Sequence, residues 1–582
     1  MKFLKRDSDI LLRSFNAMWS VFFVSQLVFQ LATLINGFLV GHYLTPAAIA
    51  ATGLFAPCIR IYTALSSLVT GGYRVKCGHC MGAGKTDKIF TYFLTAAAFL
   101  FTGGLILTVC YTCFPVPIAR LLGATEETLA ETVGYVRGMG MSSIPYLLLP
   151  FFLTASQMNN RPNFVRIGVA VQAVGNLVFG YVAVRYLDGG LFGIGAATGL
   201  SMLCAVVFMG IGLRFPTRGK EPPSVSYLSE MIKIGLPDAT LWIVTSFVNF
   251  TFNFFARKYG GTAALAAVAM SYLFVPIDAL CSALANTVGS LASVAVGERN
   301  NGDIRKIVRH ALRFGFPIIF ALSVLVYVVI RPYASFFGAE GEILEYVSLL
   351  TLFSVPSWLG YAFALLCVSV YQAMEENKVS VLIIAVEQLG RAITVVVMTV
   401  LFGLTGLWAV DTVAKIFVLG IAWGISWYKM KRFPRGAVHL FDWADKFNSE
   451  RAAYLEASSL AEAVGISEKI LQFLRESPAV KKNALKAALC AEETAVNIFE
   501  FAAGKELKAP LKITVFVSVC EERIFMKVKD NAPAFDPTEI LKIHTEDEND
   551  PAKNSGIRLV SLIAQEMNYQ NIFGLNALSI RL

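Results

Sequence analysis

Hydrophobic and polar positions divide the chain into two regimes. Up to about residue 430 they form twelve apolar runs, roughly at 17–40, 47–72, 89–113, 131–155, 163–185, 191–214, 232–256, 263–295, 308–331, 344–373, 379–402 and 406–429. Each is long enough for a membrane helix, which needs about 20 apolar residues. The pattern also repeats. YLTPAAIAATGL at 43–54 returns as YGGTAALAAVAM at 259–270, 216 positions later. Gly123, Gln157 and Gly175 return as Gly338, Gln372 and Gly390, each 215 positions on. A fixed offset held this long means one unit used twice, so the runs group as six and six. Two copies in the same membrane sense predict halves related by an axis along the membrane normal, with a site between or inside them.

Beyond Arg435 the period changes. Residues 436–450 read as a short polar linker, and a soluble α/β pattern follows. A helix is expected over 479–502, paired strands over 511–519 and 524–528 joined by CEER, and an acidic loop over 536–554. A second helix over 556–567 and a last strand over 576–581 complete it. The expected fold is thus an all-α polytopic bundle of twelve transmembrane helices in two six-helix repeats, plus a C-terminal α/β sandwich. The expected boundaries are 1–16 for the N-terminus, 17–219 and 220–435 for the lobes, 436–450 for the linker and 451–582 for the tail domain.

Composition agrees. The chain is 56% hydrophobic, 16% charged and has a mean hydropathy of +0.60. Residues 1–450 hold 34 basic and 23 acidic groups, while 451–582 hold 16 and 18. The net +9 therefore belongs to the membrane part and calls for no nucleic-acid partner. Between the runs, 24 Lys and Arg fall on the side of the N-terminus and five on the other. That asymmetry predicts both termini in the cytoplasm of a bacterial-type inner membrane. MKFLKRDSD lacks a small-residue cleavage site, so no leader is expected. Cys58, Cys110, Cys204, Cys281 and Cys367 lie inside apolar runs as small hydrophobes, and no secreted disulfide framework is visible. Two motifs are set aside. Gly84-Lys85-Thr86 lacks a glycine at P-loop spacing, and Cys77-Gly78-His79-Cys80 lacks a fourth metal ligand.

Ionisable groups inside a bilayer are costly and mark function. The second half holds Asp278, then Glu387 and Arg391, then Asp411 and Lys415. The last two pairs are spaced i, i+4, so each is expected to share a helix face as an internal ion pair. Asp278 or Glu387 is the candidate coupling or substrate-cation site. Arg60, alone in the second run, reads first as a snorkelling residue and second as a partner for an anionic substrate group.

Together with LVGHYLTPAAIAATGL, GLFGIGAATGLSM at 191–203 and GLPDATLW at 235–242, the two-repeat plan over about 10–430 resembles the MATE multidrug and toxin extrusion transporters. That resemblance implies alternating access between two lobes and export of organic cations against inward H⁺ or Na⁺. It also marks Asn36, which stands where prokaryotic-type members often carry an acid in the first span. Asn176 matches the family's Asn in the fifth span, and Gly180 replaces the Asp one turn later. An amide offers a carbonyl oxygen to a cation but carries no proton.

In the tail, Glu493 and Asn497 are four apart on the first helix and so point into one pocket, where an amide oxygen beside a carboxylate can hold Mg²⁺ with phosphates. With Lys529-Asp530-Asn531-Ala532 and Lys553-Asn554-Ser555-Gly556-Ile557 after them, they resemble the histidine-kinase-like ATPases of the anti-sigma-factor serine-kinase branch. By that resemblance Asn497 holds Mg²⁺ through ATP, Glu493 acts as general base, Asp530 accepts from the adenine amino group, Lys553 meets phosphate, and Gly556 lets the backbone approach the phosphates. Two family glycines are absent here, at Ala532 and before Gly556.

The expectation is an ion-coupled exporter of small molecules with a cytoplasmic nucleotide-binding domain that regulates transport or phosphorylates a protein partner. The rival readings are a membrane-held serine kinase or anti-sigma-like switch whose bundle is a sensor, and a lipid-linked flippase.

Overall fold

The computed structural model describes residues 10–215, 221–270, 274–336, 338–444, 451–475, 481–507, 509–520, 523–537 and 555–582. Among these, ten helices are long and apolar enough to cross a membrane, and the pair Glu126–Met141 and Ser143–Met158, bent by 48°, makes an eleventh span. The 54-residue run Asn377–Met430 then divides at Gly403, whose φ of 62° and ψ of −143° only glycine adopts at low cost. Lys415 is ion-paired with Glu387 on the other side of that break. A straight helix would hold those residues about 42 Å apart, so the run folds back as two spans. Twelve spans result, as the hydrophobic pattern predicts.

The repeated stretch is a correction. It was expected inside the second and eighth spans but forms a short helix ahead of each. Pro46–Leu54 starts with Pro46 after Thr45, whose hydroxyl accepts from Ala48 N, and it precedes the long helix Ala56–Ala83. In the second copy Gly261 (φ 61°, ψ −149°) separates the segment ending at Ala269 from the seventh span, and the eighth span is Val275–Gly297.

The first helix begins at Ile10, not 17. Its early turns need no lipid-facing run because protein covers them: Phe15 meets the His310 ring at 4.9 Å and Ser14 donates to the Phe573 carbonyl. The linker differs as well. Leu440 and Phe441 are buried in the second lobe's core, and Tyr371 donates to the Leu440 carbonyl at 3.1 Å.

The tail holds one antiparallel sheet in the order β1-β2-β3-β5-β4, with β1 at Arg451–Ala457, β2 at Ile513–Cys520, β3 at Arg523–Asp530, β4 at Glu566–Ile572 and β5 at Leu575–Arg581. Ile470, Ala487, Ala491 and Val560, from helices Ile466–Arg475, Lys481–Ala502 and Ser555–Ile563, pack on one face of the sheet against Val515, Val528 and Ile580. The helix expected to reach 567 stops at Ile563, and β4 follows unforeseen. Its EMNYQNI has no apolar alternation, because its polar side chains meet the bundle: Asn568 donates to the Gly84 carbonyl, and Asn571 accepts from Asn160. Most of the acidic loop expected over 536–554 lies outside the described residues.

Candidate functional site

Gly403 brings the eleventh and twelfth spans side by side, and this re-pairs the second lobe's charges. Lys415 bonds Glu387, and Arg391 bonds Asp411, each pair joining two spans. The i, i+4 pairings expected from spacing do not form. Arg391 also donates to Asn249 Oδ1 at 2.9 Å, and Lys415 lies 5.1 Å above the Tyr361 ring. Glu387 is 1% exposed and committed to its lysine. Asp278 is different. It is half-buried in the first turn of the eighth span, within electrostatic reach of Asp411, Lys415 and Arg391. Among the described residues it makes no hydrogen bond or ion pair. The cluster holds, among the described residues, three carboxylates against two cations, and Asp278 is the carboxylate without an ion pair of its own.

In the first lobe the candidate amides do meet. Asn176 donates to Asn36 Oδ1 at 2.9 Å, and Asn36 donates to Thr198 Oγ1 at 3.0 Å. At Gly180 a Cβ would lie 2.8 Å from Leu39 Cδ1, so a side chain of the first span fills the place of an acid. This site is polar and uncharged.

A third cluster has no signal in the hydrophobic pattern, because Arg74 follows the apolar run expected over 47–72. Arg74 is 6% exposed within Ala56–Ala83 and reaches across the lobe boundary to Asn286 and to Gln372 Oε1. Gln372 Nε2 in turn donates to Asp238 Oδ1 and to the Ile234 carbonyl, both at 3.1 Å. Asp238 was visible as an acid inside the seventh apolar run, and Gln372 as half of a repeated pair. Arg60 faces Trp242 of the other lobe at 5.4 Å instead of extending to an interface. Cys77 and Cys80 are buried along a helix, and no group of metal-ligating side chains occurs among the described residues.

In the tail, Lys481–Ala502 presents Thr494, Asn497, Ile498 and Phe501 to a crevice whose far wall holds Asp530, Tyr569 and Asn576. It opens on the helix side of the sheet, away from the bundle. Asp530 Oδ1 accepts from Ala532 N and Asn576 Nδ2, both at 2.8 Å. Its other oxygen bonds no described residue. Burial pushes the Asp530 carboxyl up to about 6 against those two hydrogen bonds. Asn497 Nδ2 is buried with no hydrogen-bond partner among the described residues, and a Cβ on Gly556 would lie 2.7 Å from it. The second helix thus starts directly on Asn497 and Glu493, and a side chain at Gly556 would push those two groups aside. Free volume in the crevice is about 50 Å³. Ligand pockets hold roughly 300–1,000 Å³, so the crevice as it stands is smaller than an occupied one. Lys553 lies outside the described residues.

Residues 22–182 and 241–398 match the MatE family, and residues 444–582 match the histidine kinase-like ATPase domain. The Multidrug export protein MepA of Staphylococcus aureus (strain bovine RF122 / ET3-1) is 23% identical over 390 residues, covering 64% of this chain and 84% of its own. The Probable multidrug resistance protein YoeA of Bacillus subtilis (strain 168) is 22% identical over 377 residues, 61% and 80% of the two chains. Among solved structures, a MOP superfamily transporter from Pyrococcus furiosus described as having reverse polarity of the binding pocket aligns with a TM-score of 0.62 at 18% identity, over 72% of this chain and 95% of that one. A multidrug resistance MATE family transporter in an outward-facing conformation aligns with a TM-score of 0.63 at 19% identity, over the same shares.

Proposed function

The chain belongs to the MatE family as a multi-pass membrane protein with a histidine kinase-like ATPase domain at its C-terminus, and from that premise we propose an ion-coupled exporter of organic cations or related small molecules whose tail is a nucleotide-binding regulatory unit. One observation carries the coupling: Asp278 is the unmatched carboxylate of the second lobe's charge cluster. An excess negative charge inside a bundle attracts a proton, a Na⁺ or a cationic substrate, and exchange among them is antiport. The first lobe's Asn36, Asn176 and Thr198 are neutral, so protons exchange at the second lobe, while those oxygens serve a cation. The distribution of Lys and Arg supports a bacterial plasma membrane with both termini and the tail in the cytoplasm.

The tail residues fit ATP with Mg²⁺. The orphaned amide of Asn497 needs a partner, and turned over it offers its oxygen to the metal. Gly556 keeps the helix start free of a side chain, and the unbonded oxygen of Asp530 faces the crevice as an acceptor for the adenine amino group. Glu493 stands beside Asn497 as the general base. The nucleotide would supply an activated phosphoryl group, and these residues hold and orient it.

Transport is tested in proteoliposomes with a fluorescent organic cation under an imposed pH or Na⁺ gradient. Accumulation under one of them is expected, and none under either overturns the proposal. For the tail, the full chain in detergent is expected to bind ATP with Mg²⁺, and Asn497→Ala to weaken binding roughly tenfold or more, as when a charge-assisted contact is lost. Equal affinities in calorimetry would remove Asn497 from the site. The acceptor role needs ionised Asp530, so affinity is expected to fall as pH drops through about 6. A titration flat from pH 7.5 to 5.5 would refute that role.

A further inference from the structure

The face of the sheet turned away from the tail's own helices is docked across the boundary between the two lobes. Side chains alternate along a strand, so on β3 Lys527 and Lys529 point to the bundle while Met526 and Val528 enter the tail's core. Lys527 is 1% exposed and touches both lobes. It donates to the Met81 and Gly82 carbonyls of the first lobe at 3.4 and 3.0 Å, and lies 3.1 Å from Glu298 of the second. Lys529 lies 2.6 Å from Glu298 and 3.4 Å from Asp303. Burial disfavours the charge on Glu298, but the two lysines outweigh it and hold its carboxyl below the usual range.

The β4–β5 turn reaches further. Phe573 packs against the buried cores of both lobes. Its φ is 52° and that of Gly574 is 82°, the positive pair of a type I′ hairpin. Asn-Gly or Asp-Gly suits that turn, and a bulky residue there is strained. The hairpin would close better without phenylalanine, so the strain is explained by what its ring does between the lobes.

Towards this end the lobes are in direct contact. A Cβ on Gly72 would lie 2.5 Å from Met231 Cα, so the helices touch backbone to backbone. Lys76 bridges to Glu375 at 2.8 Å and to Glu230 at 3.2 Å, and His79 Nε2 lies 2.7 Å from the Ala373 carbonyl. Opening this mouth would tear the tail's contacts from one lobe or the other.

We propose that the tail is a clamp on the tail-side mouth of the bundle, in which Phe573 and Lys527 pin the two lobes together and the mouth opens only when the sheet lifts away. The clamp deepens the transport reading and rests on it, because a mouth matters only if the lobes alternate. Clamp and crevice share one strand: β3 ends in Asp530, whose side chain turns to the opposite face.

The test is a distance across the mouth in the full chain in nanodiscs. Spin labels are placed at exposed Asn163 of the first lobe and Lys378 of the second, with the native cysteines replaced by serine. Phe573→Asn leaves a favoured Asn-Gly turn, and Lys527→Met leaves Glu298 paired with Lys529, so neither is expected to unfold the tail. Each is expected to raise the long-distance population about tenfold, the scale of losing one buried anchor. Distance distributions unchanged in both variants overturn the clamp. Variants whose mouth opens but which show no gradient-driven transport would sink the transport reading and leave the clamp standing.

Discussion

Asp278→Asn is expected to lower gradient-driven export by about a hundredfold, with the chain still folded and still clamped. The size follows from the charge count. With Lys415 held by Glu387 and Arg391 by Asp411, the proposed coupling leaves Asp278 as the carboxylate to exchange a proton, a Na⁺ or a cationic substrate. Removing the charge that a desolvated cation needs costs roughly 2–5 kcal/mol, which spans a hundredfold in affinity. Asparagine keeps the shape and an oxygen, so it separates loss of charge from loss of packing. Initial rates in proteoliposomes decide it, under the gradient that drives the wild type. If Asp278→Asn exports at the wild-type rate and with the same pH dependence, coupling does not run through this carboxylate. Asn36→Ala is the companion measurement. It removes an acceptor that holds Asn176 and a donor to Thr198, but no charge. It is expected to alter the apparent affinity for the exported cation more than the dependence on the driving gradient.

Hydrophobic runs carry their own length, so the spans and the doubling were legible in the sequence. Which charges meet was not, because partners in the second lobe are set by a backbone break. The i, i+4 rule describes Glu387 and Arg391 correctly as neighbours on one helix. It fails because Gly403 supplies a second helix whose charges sit closer to their eventual partners. Arg74 reads as a loop charge because it follows Gly71-Gly72 at the end of an apolar run, yet that helix continues to Ala83 and its arginine reaches the other lobe. Asp238 stands in plain view within GLPDATLW, but the groups that face it, Gln372 and Arg74, lie on other helices far along the chain. In the tail, the order Glu493, Asn497, Asp530, Gly556 located the crevice. β4 went unseen because a strand buried against another domain through amides has no apolar period to display.

Glu387→Ala is expected to destabilise the bundle by about 3–5 kcal/mol, and the double variant Glu387→Met with Lys415→Leu to recover most of that loss. Glu387 is 1% exposed and Lys415 10%, so truncating the acid leaves an ammonium buried with its hydration lost and its bonded partner gone. Breaking a buried pair from one side is costly for that reason, whereas replacing both partners with apolar groups of similar volume is often neutral. Thermal unfolding of the purified chain in one detergent, with the second lobe's tryptophans as reporter, compares the three proteins. A single variant within about 1 kcal/mol of the wild type would mean that water reaches Lys415 and that the pair is not closed. The double variant also separates structure from coupling. It removes one carboxylate and one cation together, so the cluster keeps its single unmatched negative charge at Asp278. Export should therefore survive in the double variant and vanish when Asp278→Asn is added to it. Export lost already in the double variant would move the exchangeable charge from Asp278 to Glu387, with Lys415 as the group that competes with the transported cation for it.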